Sequence, residues 1–362
     1  MVLPDSTATP CWMVDKTLDR KEARDFFRDV VVMAPMATGG NLPYRRLCRE
    51  FGAVRTCSEM VMAHKLVKGG ERPLLRHHES ETDFGVQLAG KREEIMAEAA
   101  VIALEHGAKF IDLNFGCPID LVVRYGSGAA LLKRPGKLGA IVAAVRAAVD
   151  VPLSVKIRLG YTKDKINCVK IAGLIEEAGA DAVTVHGRTR AQRYRSSARW
   201  EPIDEVAQAV DIPVIGNGDL LTPWDLRRRR SETSVSSFLV ARGALIKPWI
   251  FKELADDAPW DPAMPERWAV LRQYVDFGRE HFGDDEKGLG RVRRFFLWHW
   301  DFWHRHRPLT EEQFLQQHPD SLLQARVDDV EGGGDLALFA SKDPADHELI
   351  WRRVLDRDYP SV

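Results

Sequence analysis

The chain is short of the features that would place it outside the cell, in a membrane, or on a polyanion by bulk charge. Its five cysteines form no Cys-x-x-Cys pair and show no zinc-ligand spacing, so a disulfide framework and a metal centre are both excluded as readings. A sparse, odd set of thiols fits a reducing compartment, and a cytoplasmic location is expected. No apolar run approaches the ~18 residues of a membrane span. Residues 1–20 are polar, with no apolar core of the kind a signal peptide needs. With 52 Lys and Arg against 53 Asp and Glu, the net charge is −1. No global field therefore draws nucleic acid, and any such contact must use a local patch.

What remains is a chain of 362 residues, 45% hydrophobic and 29% charged, with the balance of a globular enzyme. From residue 31 onward, short apolar runs alternate with amphipathic segments. Candidate strands are 31–36, 53–57, 84–88, 110–113, 153–157, 182–185, 214–215 and 237–240. Between them, 92–105, 138–148 and 169–178 repeat their apolar positions at helical spacing. Parallel neighbours need crossover helices, so eight such repeats predict a (β/α)8 TIM barrel, an α/β fold. The rival is an open doubly wound sheet, which carries a Gly-x-Gly-x-x-Gly turn after its first strand. Met36-Ala37-Thr38-Gly39-Gly40-Asn41 lacks that spacing. The repeat stops near residue 255, and a charged, Pro-punctuated linker covers 256–262. The expected organisation is an N-terminal segment 1–25, a barrel 26–255 and a small helical bundle 263–362. Helices are clearest at 268–280, 292–305 and 347–355, and Gly332-Gly333-Gly334 breaks the tail.

Polar residues gather where the strands end. Asn114-Phe115-Gly116-Cys117-Pro118 follows the fourth strand, Lys156 and Arg158 close the fifth, and His186 closes the sixth. Asn217-Gly218-Asp219 and Arg242-Gly243 follow the seventh and eighth. Barrel enzymes build their active sites at the carboxyl ends of the strands. A lone cysteine is ordinarily an inert core residue. Between Gly116, read as adopting a conformation closed to residues with a Cβ, and the stiff Pro118, Cys117 is expected at the barrel mouth. Lys156 and Arg158, two apart on a strand, point the same way, toward a site that holds negative charge. A Schiff-base lysine is the competing reading of Lys156. Glycine loops after the last two strands often hold a phosphate in this fold, which favours a phosphorylated cofactor. Gln87 at the end of the third strand offers amide hydrogen bonds to a heterocycle.

Two basic stretches lie outside the strand ends. Arg227 to Arg230 fall on an outer helix, where solvation is the ordinary role and nucleic-acid contact the sharper one. Residues 287–307 hold six Lys or Arg, three His and one Asp, interleaved with aromatics. Phe295, Trp298 and Phe302 form one helical face and Phe296, Trp300 and Trp303 a second, so the helix packs on two sides. Arg291, Arg293, Arg294, Arg305 and Arg307 at its ends could grip phosphates.

Taken together, the motifs resemble the tRNA-dihydrouridine synthases. The likeness is carried by Ala34-Pro35-Met36, the Leu42–Arg46 helix start, Gly85-Val86-Gln87-Leu88, Asn114 to Pro118, Val155 to Arg158, His186-Gly187-Arg188-Thr189, Gly216 to Asp219 and Ala241 to Ala244. Asn41-Leu42-Pro43, 117–122 and 242–249 look most like the eukaryotic subfamily that carries N-terminal zinc fingers, which have no counterpart in this sequence. The Gly-Val-Thr-Asp run common after the first strand of bacterial members is absent as well.

The resemblance implies an FMN-bound barrel with a helical domain that clamps tRNA. It implies that Pro35, Met36 and Gln87 line the flavin ring, with Lys156 and His186 at its polar edge and ribityl chain. It assigns the phosphate end to Asn217, Gly218, Asp219, Arg242 and Gly243. Asn114 and Arg158 would grip the uracil carbonyls, with Tyr194 near the base and Arg291, Arg293 and Arg294 on RNA. The implied reaction saturates the C5–C6 bond of uridine, with hydride from reduced FMN, a proton from Cys117 and NADPH as transient reductant. A monomer is expected. The rivals are an FMN barrel acting on a free pyrimidine, a non-catalytic RNA-binding protein, and a lyase built on Lys156.

Overall fold

The computed structural model describes residues 18–307, 310–316 and 333–359. Nine strands form one sheet: β1 (Val31–Met33), β2 (Arg55–Cys57), β3 (Val61–Met62), β4 (Asp83–Ala89), β5 (Phe110–Asn114), β6 (Leu153–Arg158), β7 (Ala182–His186), β8 (Val214–Asn217) and β9 (Ser237–Val240). Eight of them close into a ring, because β1 pairs with both β2 and β9, and β2 also pairs with β4. Every pairing is parallel. The expected TIM barrel is therefore present. The two-residue β3 lies outside the ring, paired to the end of β4.

The strands are buried on both faces, as parallel strands are. Outward residues such as Ile111, Val155, Val183 and Val240 belong to the main core beneath the helices. Inward residues form a second cluster around Phe27, Val32, Phe110, Ile215 and Leu239. Residues 18–28 seal the amino-terminal end of the barrel. Phe26 and Phe27 meet Phe110 at centroid distances of 5.6 and 5.8 Å, and Arg20 bonds Asp181 and Asp150. Gly85 makes room for Phe110: a Cβ there would lie 2.2 Å from the ring.

The first strand ends at Met33, three residues short of its expected end. Ala34 continues the ladder with one N–H to Val240, and Pro35 then has no N–H to give. The linker also differs from a free tether. The Ile250–Asp256 helix is followed by Trp260, which packs on Trp249 at 5.9 Å and donates its N–H to Glu253.

The long helices Met264–Phe282 and Glu286–Trp303 follow. Tyr44, on the Leu42–Glu50 helix of the barrel, docks them. Its hydroxyl donates to the Ala244 carbonyl at 2.5 Å and accepts from Trp303 Nε1 at 3.3 Å, while its ring stacks on His299 at 3.8 Å. The last helix, Pro344–Asp356, buries Ile350, Trp351 and Val354. Gly332 of the expected tail break lies outside the described residues, as do Cys11 and most of the expected N-terminal segment.

Candidate active site

A cleft of about 530 Å³ opens at the carboxyl ends of the strands. Fourteen residues singled out in the sequence line it: Pro35, Met36, Gln87, Asn114, Cys117, Lys156, Arg158, His186, Tyr194, Asn217, Gly218, Asp219, Arg242 and Gly243. Arg291, Arg293 and Arg294 do not. They lie exposed on the Glu286–Trp303 helix, where Arg293 pairs with Glu348 and Arg294 sits over the Phe295 ring at 5.3 Å.

Strand alternation explains the gathering. Asn114, Lys156, His186 and Asn217 are linked in register from β5 to β8, either directly or two residues apart. Their side chains point inward at the top of the barrel. Lys156 Nζ donates to Asn217 Oδ1 at 3.1 Å, and Asn217 Nδ2 donates to the Leu239 carbonyl at 2.8 Å. Asn114 Oδ1 accepts the N–H groups of Gly116 (3.1 Å) and Cys117 (2.8 Å), which fixes the turn that carries the thiol. Arg158 Nε donates to the Gly116 carbonyl at 2.8 Å and its Nη1 to Thr189 at 3.1 Å.

One expectation about that turn is corrected. Gly116 does not occupy the left-handed region, and a Cβ there would make ordinary contacts of 3.4 Å or more. The tight position is Gly128, with φ of 57°. A Cβ at Gly128 would lie 2.9 Å from the Cys117 carbonyl and 3.1 Å from its Cβ. The adjacent Ala129 donates its N–H to that same carbonyl at 3.0 Å.

The charges in the cleft are unequal. Lys156, Arg158, Arg188, Arg242 and Arg305 line it against one carboxylate, Asp219. Asp219 accepts from Arg188 at 2.5 Å and Arg242 at 2.6 Å. Burial raises its pKa, but these two arginines outweigh burial and hold it below the usual carboxylate value. Asp219 thereby fixes both guanidinium groups at the cleft. Tyr194, 45% exposed, lies within 6.0 Å of Arg158, Arg188 and Arg242.

Burial pushes the Cys117 thiol up, with Arg158 and Lys156 only partly offsetting it, so the sulfur keeps its proton at neutral pH. Burial and the neighbouring Arg158 pull Lys156 down, while Asp112 supports its charge. Burial and four surrounding cations hold His186 well below its ordinary value. Its imidazole is neutral, and Arg188 Nη1 donates to Nε2 at 3.1 Å, which leaves the proton on Nδ1. Burial brings Arg158 to about 10.

Five further residues reach or underlie the cleft without having been expected there. Asp112 stands two positions from Asn114 and shares its face on β5, so strand alternation could have found it; Arg188 lies in the bend just past β7, which that rule does not reach. Trp298, Phe302 and Arg305 reach the cleft from the Glu286–Trp303 helix and just beyond its end, and only the docking of that helix places them there. In contrast, the run Arg227–Arg230 is largely engaged on the outer surface. Arg227 bonds Asp257 and Glu311, and Arg228 and Arg229 bond Glu232.

Among the described residues, no group of three or more His, Cys, Asp or Glu could hold a metal ion. No described helix is long and apolar enough to cross a membrane.

The dihydrouridine synthase family model matches residues 32–329. A Xenopus tropicalis protein named tRNA-dihydrouridine(47) synthase NAD(P)(+)-like is 42% identical over 288 residues, covering 78% of this chain and 45% of its own. The human protein of the same name is 40% identical over 295 residues, covering 80% and 45%. The tRNA-dihydrouridine(47) synthase NAD(P)(+) of Coprinopsis cinerea is 40% identical over 332 residues, covering 87% and 48%. The chain spans a little under half the length of these relatives.

Proposed function

Since the chain belongs to the dihydrouridine synthase family, we propose that it reduces the C5–C6 bond of uridine in tRNA to dihydrouridine. FMN is the proposed cofactor and NADPH its transient reductant. The relatives named for position 47 make that uridine the expected target. On this reading the chain divides at about residues 255–263 into a catalytic barrel and a helical domain that grips RNA.

The observation that carries the proposal is that Cys117, Lys156 and His186 open onto one cleft. The residues present fit a phosphorylated, flat heterocycle. The cleft lies within the roughly 300–1,000 Å³ usual for cofactor-sized ligands. Five cations against one carboxylate suit a phosphate, and Pro35 and Met36 offer apolar surface. Arg242, aimed by Asp219, and the backbone of Gly218 and Gly243 are the proposed phosphate ligands. Lys156 would oppose negative charge that develops on the ring. Reduced FMN held in this site would supply the hydride for C6 of the uracil ring.

The chain's own residues do the rest. Asn114 retains one amide hydrogen after bonding Gln87, and Arg158 bonds the backbone of Gly116, Thr189 and Arg193 through Nε and Nη1 and also engages the Tyr194 side chain at the cleft. These donors are proposed to hold the uracil carbonyls. Tyr194 offers an aromatic surface at the cleft rim for the base. The Cys117 thiol, kept protonated by burial, gives its proton to C5 as a general acid. A target base must leave its stack to reach this depth, at a cost of about a few kcal/mol. Arg291, Arg293 and Arg294 are proposed phosphate contacts that help offset it.

The test compares wild-type protein with Cys117→Ala. We expect the variant to remain yellow, with the flavin absorbance of the wild type, and to lose nearly all dihydrouridine in tRNA measured by nucleoside mass spectrometry. Full product formation by Cys117→Ala would remove the thiol from its role. A colourless wild type with no product would remove the reading as a whole.

A further inference from the structure

Asp112 does not line the cleft, yet it stands at the root of a hydrogen-bond chain that ends on Cys117. It faces the barrel interior from β5, 5% exposed, two residues below Asn114. One carboxylate oxygen accepts from Ser154 Oγ at 2.6 Å and the other from Gln87 Nε2 at 2.6 Å. Gln87 Oε1 in turn accepts from Asn114 Nδ2 at 2.8 Å. Asn114 Oδ1 then accepts the N–H groups of Gly116 and Cys117.

The order of donors and acceptors in this chain is forced from both ends. Backbone N–H groups can only donate, so Asn114 must turn its oxygen to them and its NH₂ to Gln87. A carboxylate only accepts, so Gln87 must turn its NH₂ to Asp112 and its oxygen to Asn114. All these links but the last, from the Cys117 N–H, are buried, where a mismatched polar pair is costly. We propose that Asp112 is a positioning residue: it sets the orientation of the Gln87 and Asn114 amides and, through them, holds the turn that presents Cys117. This inference rests on the reading of Cys117 as the proton donor at the cleft.

Two roles for Asp112 have to be separated, an acceptor that orients Gln87 and a charge that supports Lys156. Asp112→Asn separates them. The amide it introduces can turn its oxygen to Gln87 and its NH₂ to the Ser154 hydroxyl, which is able to accept. The chain then survives without the charge. Asp112→Leu, similar in size, removes both. Gln87→Met cuts the chain at its middle and leaves Asp112 in place, so a fold-sensitive result at position 112 has an independent check.

The experiment uses the purified holoenzyme. It measures the rate of iodoacetamide alkylation at the Cys117 peptide by mass spectrometry, alongside kcat and KM for tRNA. For Asp112→Leu and Gln87→Met we expect alkylation at least fivefold faster, because the turn is no longer tied to Asn114. For Asp112→Leu we also expect kcat at least tenfold lower with KM within twofold. Asp112→Asn should keep the alkylation rate within twofold of wild type, whatever the lost charge does to kcat. Alkylation within twofold of wild type in both Asp112→Leu and Gln87→Met would overturn the proposal. So would an Asp112→Asn protein alkylated as fast as Asp112→Leu, because charge and not orientation would then hold the turn. Should the wild type form no dihydrouridine, the functional reading fails alone and the alkylation rates still decide the role of Asp112.

Discussion

The indole of Trp298 lies over Gly39 so closely that a Cβ on the glycine would sit 2.9 Å from the ring and 2.7 Å from Leu245 Cδ2. A residue of the helical tail thus packs on the loop after β1, and the tail forms one wall of the cleft. Overfilling a packed contact of this kind costs about 1–3 kcal/mol. Gly39→Ala should lower the melting temperature measurably. Removing the ring by Trp298→Ala should recover part of the loss, with Leu245 still opposing the new methyl. In a double-mutant cycle the pair should couple by at least about 0.5 kcal/mol. Strict additivity would mean that the tail does not press on this loop in solution.

The environment of Cys117 predicts a one-sided pH dependence. A general acid works in its protonated form, and burial raises this thiol above its ordinary value of about 8.5. The thiol's own titration should therefore leave turnover untouched through neutral pH and lower it in the alkaline range as the proton is lost. Cys117→Ser, whose hydroxyl does not titrate there, should lose that limb together with most of the rate. The profile of kcat between pH 6 and 10 decides it (roughly the span over which a raised thiol titrates). An activity that rises with pH through the thiol range would point to a thiolate nucleophile instead.

Much of this site was legible because strand alternation is a local rule. Lys156 and Arg158 share a face whatever the rest of the chain does, and both reach the cleft. The same rule would have placed Asp112 beneath Asn114. It passed unread because it does not touch the motif's most reactive atom, whereas Arg188 sits in the bend past β7, where that rule no longer holds. The tail could not be read in this way. Helical spacing showed that Phe295, Trp298 and Phe302 share a face, but not what that face meets. The structure splits them: Phe295 stacks on Phe282 at 5.4 Å, while Trp298 and Phe302 line the cleft. That outcome depends on Tyr44 meeting His299 and Trp303 across more than two hundred residues, which no local period encodes. Gly116 shows the reverse error. A glycine beside a reactive thiol invited a backbone explanation, whereas the close approach belongs to Gly128, eleven residues after Cys117.

His299 makes the interface between barrel and tail sensitive to acid. Its ring stacks on Tyr44 at 3.8 Å and lies beside Trp303 at 5.5 Å, is fully buried, and has neither nitrogen hydrogen-bonded. Burial holds its pKa well below the ordinary value. In the unfolded chain a histidine titrates near 6.5. Above that pH both states are neutral and nothing is lost. Below it the unfolded state binds a proton that the folded state refuses, so stability falls as pH falls. His186, His304 and His306, also held down chiefly by burial, add further such protons. His299→Phe should remove one of them, reducing the acid slope by about 1.4 kcal/mol per pH unit. It should also stabilise the protein at neutral pH by about 1–3 kcal/mol, because two unsatisfied buried nitrogens disappear. Urea melts at neutral and mildly acidic pH measure both effects. An unchanged acid slope in His299→Phe would mean that this ring is protonated in the folded state.

The exposed arginines of the tail should dominate the salt dependence of RNA binding, because the net charge of −1 supplies no bulk attraction. Each phosphate neutralised contributes about 0.7–0.9 to the slope of log affinity against log salt. Neutralising Arg291, Arg293 and Arg294 together should lower that slope by about 2–3. The three are not equivalent. Arg293 is already paired with Glu348, so contact with a phosphate requires that pair to break or to share the guanidinium, and Arg293→Ala alone should lower the slope least. Arg294, lying over Phe295, and Arg291 should carry most of the change. Anisotropy titrations of labelled tRNA at several salt concentrations separate the cases. Equal slopes for the triple variant and the wild type would show that this face of the tail does not meet RNA, and the grip would then have to come from the cleft rim around Tyr194 and Arg305.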